Sequence, residues 1–279
     1  MAQGTQRVRF KVKRYDPETG RVWWQEYDVE VYKGMTVLDA LRKIRADSDP
    51  TLVLRFSCRM GVCGSCGMVI NGAPRLACQT QVEHLGTDMV VVEPLPNFPV
   101  LRDLVVDMED FFAKHRLIKP YLIRRDVEEQ ENPTLEYLMS PDEHQLIKRY
   151  TYCIQCGLCV AACPVSAIDP EYLGPQALAQ AYRFITDVRD EGYAERIEVV
   201  DNEHGCWRCH FADSCSVVCP KGVDPGQAIQ LLRKTIFKYR LRLFRKKASP
   251  VAPPLKAERR PGIPEPPPRT VQPEEAQEA

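Results

Sequence analysis

Cysteine is the residue type whose number and spacing in this sequence indicate chemistry most directly. The 279-residue chain contains 12 cysteines, and eleven of them fall into three groups. The first residues of the chain lack the apolar core of a secretion signal, so we expect a cytoplasmic, reducing environment in which thiols bind metals rather than form disulfides. The spacing within each group then predicts the kind of metal centre.

The first group has the spacing of a plant-type [2Fe–2S] site. Two bridged ferric ions need four thiolates from different directions, so a tight loop would supply three and a neighbouring strand the fourth. A structural zinc site, the alternative, prefers Cys-x2-Cys pairs separated by a longer span. Glycines in the loop would let it curl and would leave backbone N–H groups free to point at cluster sulfurs. The ligands would be Cys58, Cys63, Cys66 and Cys78, and the glycines are Gly61, Gly64 and Gly67.

The second group is a run of the form Cys-x2-Cys-x2-Cys-x3-Cys-Pro, which is typical of bacterial ferredoxins. In two-cluster ferredoxins the fourth cysteine of each run binds the other cluster, so a second run is expected. It is present in altered form, because Ala212 occupies its second cysteine position. The first run consists of Cys153, Cys156, Cys159, Cys163 and Pro164, and the second run keeps Cys209, Cys215, Cys219 and Pro220.

Exchange of the fourth cysteines between the two runs predicts two different clusters. One site receives four thiolates and is predicted to hold [4Fe–4S]. The other site receives three, and because an iron without a protein thiolate is labile, it is predicted to hold [3Fe–4S] at a higher reduction potential. The first set is Cys153, Cys156, Cys159 and Cys219, and the second is Cys163, Cys209 and Cys215.

Cys206 is the remaining cysteine, three residues before Cys209. It could complete a fourth iron at the third site, or it could pack as a small hydrophobe, as buried cysteine commonly does. Its position is not the one that the second run leaves empty. We therefore favour the packing role.

Hydrophobic periodicity predicts an α+β fold with an N-terminal β-grasp of the plant-type ferredoxin kind over residues 1–105. Alternation at residues 8–12 and 29–31 predicts a hairpin, and Thr36 can cap a helix that ends at residues 47–50. The pair Asn71-Gly72 predicts a second hairpin, and residues 89–92 another strand.

A helical, bacterial-ferredoxin-like domain is predicted for residues 106–248. A helical period begins at Leu101 and continues to Phe112, and a further helix is predicted from Pro175 to Gly192. The Pro-rich residues 249–279 favour extended polyproline geometry, either as a disordered tail or as a segment lying on a partner.

Taken together, these motifs resemble the iron–sulfur subunit of succinate dehydrogenase and fumarate reductase, and look more like the fumarate reductases. The resemblance implies a subunit between a flavoprotein with covalent FAD and a membrane anchor that binds quinone, sometimes with haem. The [2Fe–2S] cluster would lie nearest the flavin and the [3Fe–4S] cluster nearest the quinone. The segments on which this resemblance rests are SCRMGVCGSCG, VVEPLPNFPVLRDLVVDM, CIQCGLCVAACP with DPEYLGP after it, and CHFADSCSVVCPKGVDP.

The same resemblance maps a quinone site onto Pro164, Ile168, His210 and Arg233. Ile168 stands where relatives that use ubiquinone usually carry tryptophan, which favours menaquinone. His210 would tune the cluster or help protonate quinone, or would be an ordinary packed histidine. Arg233 could equally be a solvated helix charge. Residues 233–247 alternate basic and apolar side chains, which suits an anionic lipid surface, docking to the anchor, or a solvated helix.

The predicted function is the relay of single electrons between that flavoprotein, acting on succinate and fumarate, and menaquinone at the cytoplasmic face of the inner membrane. The chain has no dinucleotide-binding loop and no dicarboxylate site, so it would act as an enzyme subunit. Alternatives are a heterodisulfide- or glycolate-type subunit and a soluble ferredoxin-like carrier. Acidic and basic residues number 38 each, which gives no basic field for nucleic acid.

Overall fold

The first part of the chain forms a five-stranded sheet around one helix, in strand order β2-β1-β5-β3-β4. The computed structural model describes residues 6–133, 136–244, 246 and 251–252. Strands β1 and β5 are parallel, and the other neighbours are antiparallel. The elements are β1 (Gln6–Asp16), β2 (Arg21–Val31), α1 (Val37–Asp47), β3 (Gly67–Ile70), β4 (Ala73–Leu76) and β5 (Met89–Glu93). Both predicted hairpins and the predicted α+β fold are confirmed.

Helix α1 begins where its sequence predicts. The Thr36 hydroxyl accepts the backbone N–H of Asp39, and the Asp39 carboxylate accepts the backbone N–H of Thr36, which together form a capping box. The apolar side of the helix is buried against the sheet, on which alternate residues of β1 point inward. The buried side chains include Val8, Phe10, Val12, Val37, Leu38, Leu41 and Ile44.

The predicted helix from Leu101 to Phe112 is wrong in its first half. Residues there form a short hairpin, and the following helix begins only at Glu109. The reason is Asp103, whose carboxylate accepts hydrogen bonds from Arg14 Nε (2.8 Å) and from the backbone N–H of Val53 (2.8 Å). These bonds hold the hairpin turn against the sheet. The elements are β6 (Val100–Arg102), β7 (Val105–Val106) and α2 (Glu109–Leu117).

The remainder of the described chain is mainly helical. Helices α7 and α10 pack against each other in its core, and the fully buried Arg196 forms an ion pair with Asp190 at 2.7 Å. The elements are α3 (Val127–Glu131), β8 (Glu136–Tyr137), α4 (Pro141–Thr151), α5 (Leu158–Ala161), α6 (Pro164–Ile168), α7 (Gly174–Thr186), α8 (Tyr193–Val200), α9 (Ser214–Val217), α10 (Pro225–Arg240) and β9 (Val251–Ala252). Single 3₁₀ turns lie at Ala77–Gln79, Glu83–Leu85 and Cys206–Arg208.

The helix predicted from Pro175 to Gly192 is present as α7 but ends earlier, at Thr186. Asp187 adopts an extended backbone, and its carboxylate accepts the backbone N–H of Arg189 at 3.0 Å. This local hydrogen bond competes with continuation of the helix.

The core of the sheet extends into the helical part of the chain. Its buried cluster also includes Met108, Phe111, Leu158 and Ala161, so the first cysteine run packs directly against the β-grasp core. The predicted domain bounds stay a prediction. The predicted Pro-rich tail lies outside the described residues, except that Val251–Ala252 pairs with β8. Within the described ranges no helix has the length and apolarity to cross a membrane.

Candidate metal centres

The first centre is the loop that carries Cys58, Cys63 and Cys66. The Cys58 Sγ atom accepts backbone N–H groups from Met60 (3.4 Å), Val62 (3.3 Å) and Cys63 (3.3 Å). These donors, that of Met60 above all, lower the pKa of Cys58 to about 6. The loop therefore stabilises negative charge on sulfur, which is what a thiolate ligand requires.

Cys78 closes the first centre from the 3₁₀ turn after β4. The backbone N–H of Ala77 donates to the carbonyl of Cys66 at 3.0 Å, which holds the turn beside the loop. Burial and the neighbouring Cys78 raise the pKa of Cys66 to about 12. The structure thus brings the four predicted residues of the first centre together, two of them in the buried core.

The second centre is a cavity between α5, α7 and the start of α10. Its wall contains all four cysteines predicted for [4Fe–4S], together with Gln176: Cys153, Cys156, Cys159 and Cys219. Burial raises the pKa of Cys153, raises that of Cys156 to about 11 and raises that of Cys159 well above its usual value. Thiols in such a site ionise readily only when a cation is bound, so the donor set fits a metal cluster.

The third centre is a cavity lined by Cys163, Cys209 and Cys215, the three predicted [3Fe–4S] ligands. Ala212 lines it too, at the position where a fourth thiol is missing. Tyr172 forms a wall, and its pKa is raised by burial and by the three cysteines around it. No group of three His, Cys, Asp or Glu side chains among the described residues has the arrangement that a single metal ion would need.

Cys206 does not line the third cavity. It is fully buried in the helical core, where its carbonyl accepts two hydrogen bonds from Arg233, at 2.9 and 2.7 Å. Burial raises the pKa of its thiol to about 12, and the charged groups near it are Arg233, Asp201 and Arg240 rather than other cysteines.

The two cysteine runs have the same backbone conformation. Gln155 and Phe211 occupy equivalent positions at φ 54° and 56°, and Gly157 and Asp213 at φ 78° and 60°. A single helical turn follows each pair, α5 in the first run and α9 in the second. Ala212 therefore occupies the place that Cys156 has in the first run.

The first and second centres are in backbone contact. A Cβ added at Gly64 would lie 2.8 Å from the Cα of Cys156, so only glycine allows this approach. A further link is Asn97, whose Nδ2 donates to the carbonyls of Val160 (2.8 Å) and Cys163 (3.1 Å). Neither Gly64's partner nor the role of Asn97 was predicted from the sequence, because both contacts join residues distant along the chain.

The residues predicted for quinone fall into two places. Pro164 and His210 line the third cavity and are exposed. Ile168 is 72% exposed at the end of α6 and does not line it. Arg233 donates to the carbonyls of Cys206 and Cys209, the latter at 2.5 Å, so its guanidinium fixes the start of the second run rather than being a solvated charge.

Two sequence families match the two halves of this arrangement. A family described as "2Fe-2S iron-sulfur cluster binding domain" matches residues 9–113, and one described as "4Fe-4S dicluster domain" matches residues 149–223. A fumarate reductase iron-sulfur subunit from Mycobacterium tuberculosis is 46% identical over 230 residues, which cover 82% of this chain and 92% of that protein. The chain belongs to the iron–sulfur subunits of succinate dehydrogenase and fumarate reductase.

Both branches of this family are represented among the relatives. A succinate dehydrogenase iron-sulfur subunit from Coxiella burnetii is 41% identical over 230 residues, covering 81% of this chain and 95% of that protein. A solved chain from the Mycobacterium smegmatis Sdh1 complex in the apo form superposes with a TM-score of 0.74 at 31% identity, covering 85% of this chain and 98% of that chain. The resemblance seen in the sequence motifs is confirmed.

Proposed function

We propose that this iron–sulfur subunit relays single electrons between a flavoprotein with covalent FAD, which interconverts succinate and fumarate, and menaquinone at a membrane anchor. The observation that supports this most is that the three cysteine sets are neighbours in a series. The loop of the first set contacts the second set at Cys156, and the second and third sets each take cysteines from both runs. Three clusters in such a series would let electrons pass from one side of the subunit to the other.

The proposed ligands keep the assignment made from spacing: [2Fe–2S] on Cys58, Cys63, Cys66 and Cys78; [4Fe–4S] on Cys153, Cys156, Cys159 and Cys219; [3Fe–4S] on Cys163, Cys209 and Cys215. When bound, such clusters accept and release one electron at a time. The chain's own residues hold the thiolates, donate N–H groups to sulfur as Met60 and Val62 do, and exclude water by burial.

The loop of the first centre is the proposed flavoprotein side. Met60 and Val62 are exposed apolar residues at its tip, directly beside Cys58. Exposed apolar side chains around a redox centre favour a partner surface that covers them. Docking there would bring the flavin within reach of the first cluster.

The mouth of the third centre is the proposed quinone side, facing an anchor at the cytoplasmic side of the membrane. His210 and Pro164 are exposed at this mouth, and Ile168 and Phe211 add exposed apolar surface beside it. Arg233 would act through the loop that it fixes, by holding His210 and Cys209 in place. In this proposal Arg233 positions the loop and does not itself contact quinone.

The test is purification of the chain together with its flavoprotein and anchor subunits, followed by electron paramagnetic resonance (EPR) spectra and succinate-driven reduction of a menaquinone analogue. We expect signals from three centres, the third of them a [3Fe–4S] signal in the oxidised protein. The variant Cys159→Ser should remove the [4Fe–4S] signal and stop quinone reduction while flavin reduction by succinate continues. Quinone reduction that survives loss of this signal would contradict the relay.

A further inference from the structure

A buried histidine lies behind the second centre, between two glutamine side chains. His115, on α2, is 8% exposed, and its Nε2 lies 2.8 Å from Nε2 of Gln155. On its other side, Nδ1 lies 3.2 Å from Nε2 of Gln176. The Gln176 side chain is 2% exposed and lines the second cavity, with its Nε2 4.0 Å from Sγ of Cys153. His115 is thus joined to a proposed cluster ligand through one amide.

The protonation of this group can be worked out from its contacts. A neutral imidazole accepts a hydrogen bond at one nitrogen and donates at the other, so it cannot accept from both amides. The nitrogen and oxygen of an amide exchange places by rotation of the group. A thiolate is only an acceptor, so Gln176 must present its NH₂ group to Cys153 and to Nδ1. His115 then carries its proton on Nε2, and Gln155 turns its oxygen toward it.

Burial lowers the pKa of His115, and the nearby Arg183 lowers it further, so the imidazole is neutral at neutral pH, as this arrangement requires. The arrangement leaves Oε1 of Gln176 buried without a hydrogen-bond partner within the described residues. That cost is offset on the nitrogen side of the amide, where the acceptors are Nδ1 and Cys153 Sγ.

We propose that His115 is a positioning residue for the second centre: by accepting at Nδ1, it aims the Gln176 N–H at Cys153 Sγ and raises the reduction potential of the [4Fe–4S] cluster. This inference rests on the proposed assignment of Cys153 as a ligand of that cluster. A hydrogen bond to a ligand sulfur favours the more negative, reduced state, because it stabilises added charge on sulfur.

The experiment is an EPR-monitored redox titration of the purified complex with its flavoprotein and anchor. Gln176→Met keeps the length of the side chain but removes the donor, and should lower the midpoint potential of the [4Fe–4S] centre. His115→Phe keeps a ring but removes the acceptor, and should lower it in the same direction by a smaller amount. The potentials of the other two centres serve as internal controls and should stay unchanged.

His115→Asn separates this role from packing. Its amide oxygen can take the place of Nδ1 as acceptor, but the side chain fills less of the core. We therefore expect His115→Asn to lose more thermal stability than His115→Phe and yet keep a potential closer to that of the unmodified protein. Potentials that follow stability across these variants, or that stay unchanged in an assembled centre, would overturn the inference. Absence of a [4Fe–4S] cluster from the unmodified complex would instead refute the ligand assignment itself.

Discussion

The two cysteine runs are nearly identical in backbone and different in what they can bind. Each has two left-handed residues flanking the second ligand position, at φ 54° and 78° in the first run and 56° and 60° in the second. In each run the backbone N–H three residues beyond the second left-handed position closes the first turn, as Val160 donates to the carbonyl of Gly157 at 3.0 Å and Ser216 donates to that of Asp213 at 2.9 Å. The ligand position between the left-handed residues holds Cys156 in the first run and Ala212 in the second.

This comparison teaches that the third centre lacks a thiol and not a suitable loop. Ala212 has the backbone geometry that places Cys156 in the wall of the second centre. The proposed difference in iron content, and with it the direction of the potential gradient, would depend on one side chain. Each prediction below changes one feature in which the two runs differ, or one contact that belongs to only one of them.

The largest effect is expected for Ala212→Cys, which gives the second run its missing thiol. The third centre should then bind a fourth iron, and its oxidised [3Fe–4S] EPR signal should disappear. We expect its midpoint potential to fall by at least about 60 mV, roughly tenfold in the equilibrium constant for a one-electron couple. Menaquinone reduction should slow accordingly, because electrons would no longer collect at this centre.

The matched control is Ala212→Ser, which adds a side chain of similar size at the same φ and ψ without a soft ligand. It should keep the [3Fe–4S] signal. If Ala212→Cys leaves both the spectrum and the potential unchanged, the equivalence of the two runs does not extend to ligation.

The sequence was sufficient for features that depend on near neighbours along the chain. The cap at Thr36, the Asn71-Gly72 turn and the three cysteine groups all follow from local spacing. The exchange of fourth cysteines between the runs came from the pattern of two-cluster ferredoxins, and the structure brings each resulting set together. The sequence was insufficient where a residue distant along the chain determines the local secondary structure. The helix expected at Leu101 is replaced by a hairpin because Asp103 bonds to Arg14, 89 residues away. A helical pattern of apolar residues does not reveal such a partner.

Gly64→Ala tests a contact that only the first run makes. The added Cβ would lie 2.8 Å from the Cα of Cys156 and 3.0 Å from the carbonyl oxygen of Ile154, so the two loops must separate. We expect a loss of about 1–3 kcal/mol in the free energy of unfolding. Electron transfer from the first to the second centre, followed by rapid-freeze EPR, should also slow.

Gly72→Ala is the matched control for Gly64→Ala. Gly72 has a similar backbone, at φ +78° against +74°, but no atom of the described residues lies within 4 Å of an added Cβ. Gly72→Ala should therefore lose only the stability that backbone strain costs, and it should leave electron transfer between the first and second centres unchanged. Equal losses for both variants would mean that the contact with Cys156 contributes nothing beyond strain.

Cys206→Ala tests whether the cysteine just before the second run is a ligand of the third centre. Because Cys206 packs in the helical core and not in the wall of the third centre, the variant should keep the iron content and the [3Fe–4S] signal. The cavity left by the sulfur should cost about 1 kcal/mol in the free energy of unfolding, measured by denaturant titration. A loss of iron from the third centre, with the other two intact, would identify Cys206 as a ligand.

The smallest effect, a change in stability with pH, is expected at a contact between the segment that follows the first run and the segment around the start of the second run. Asp169 follows α6, and its carboxylate contacts His204 Nδ1 at 3.1 Å and accepts from Arg208 Nε at 2.9 Å. The hydrogen bond to Asp169 raises the pKa of His204 above its usual 6.5. The charged pair therefore stabilises the fold fully below pH 6.5, and this contribution is lost as the pH rises through the raised pKa.

We accordingly expect His204→Gln to lower the melting temperature most below pH 6.5, with the difference from the unmodified protein shrinking as the pH rises. In an Asp169→Asn background the same substitution should have a smaller pH-dependent effect, because the partner that raises the pKa of His204 most is gone while Glu171 and Glu203 remain beside the ring. A difference that grows with pH would mean that His204 is stabilised in its neutral form. The link between the two runs would then be made by Arg208 and Asp169 alone.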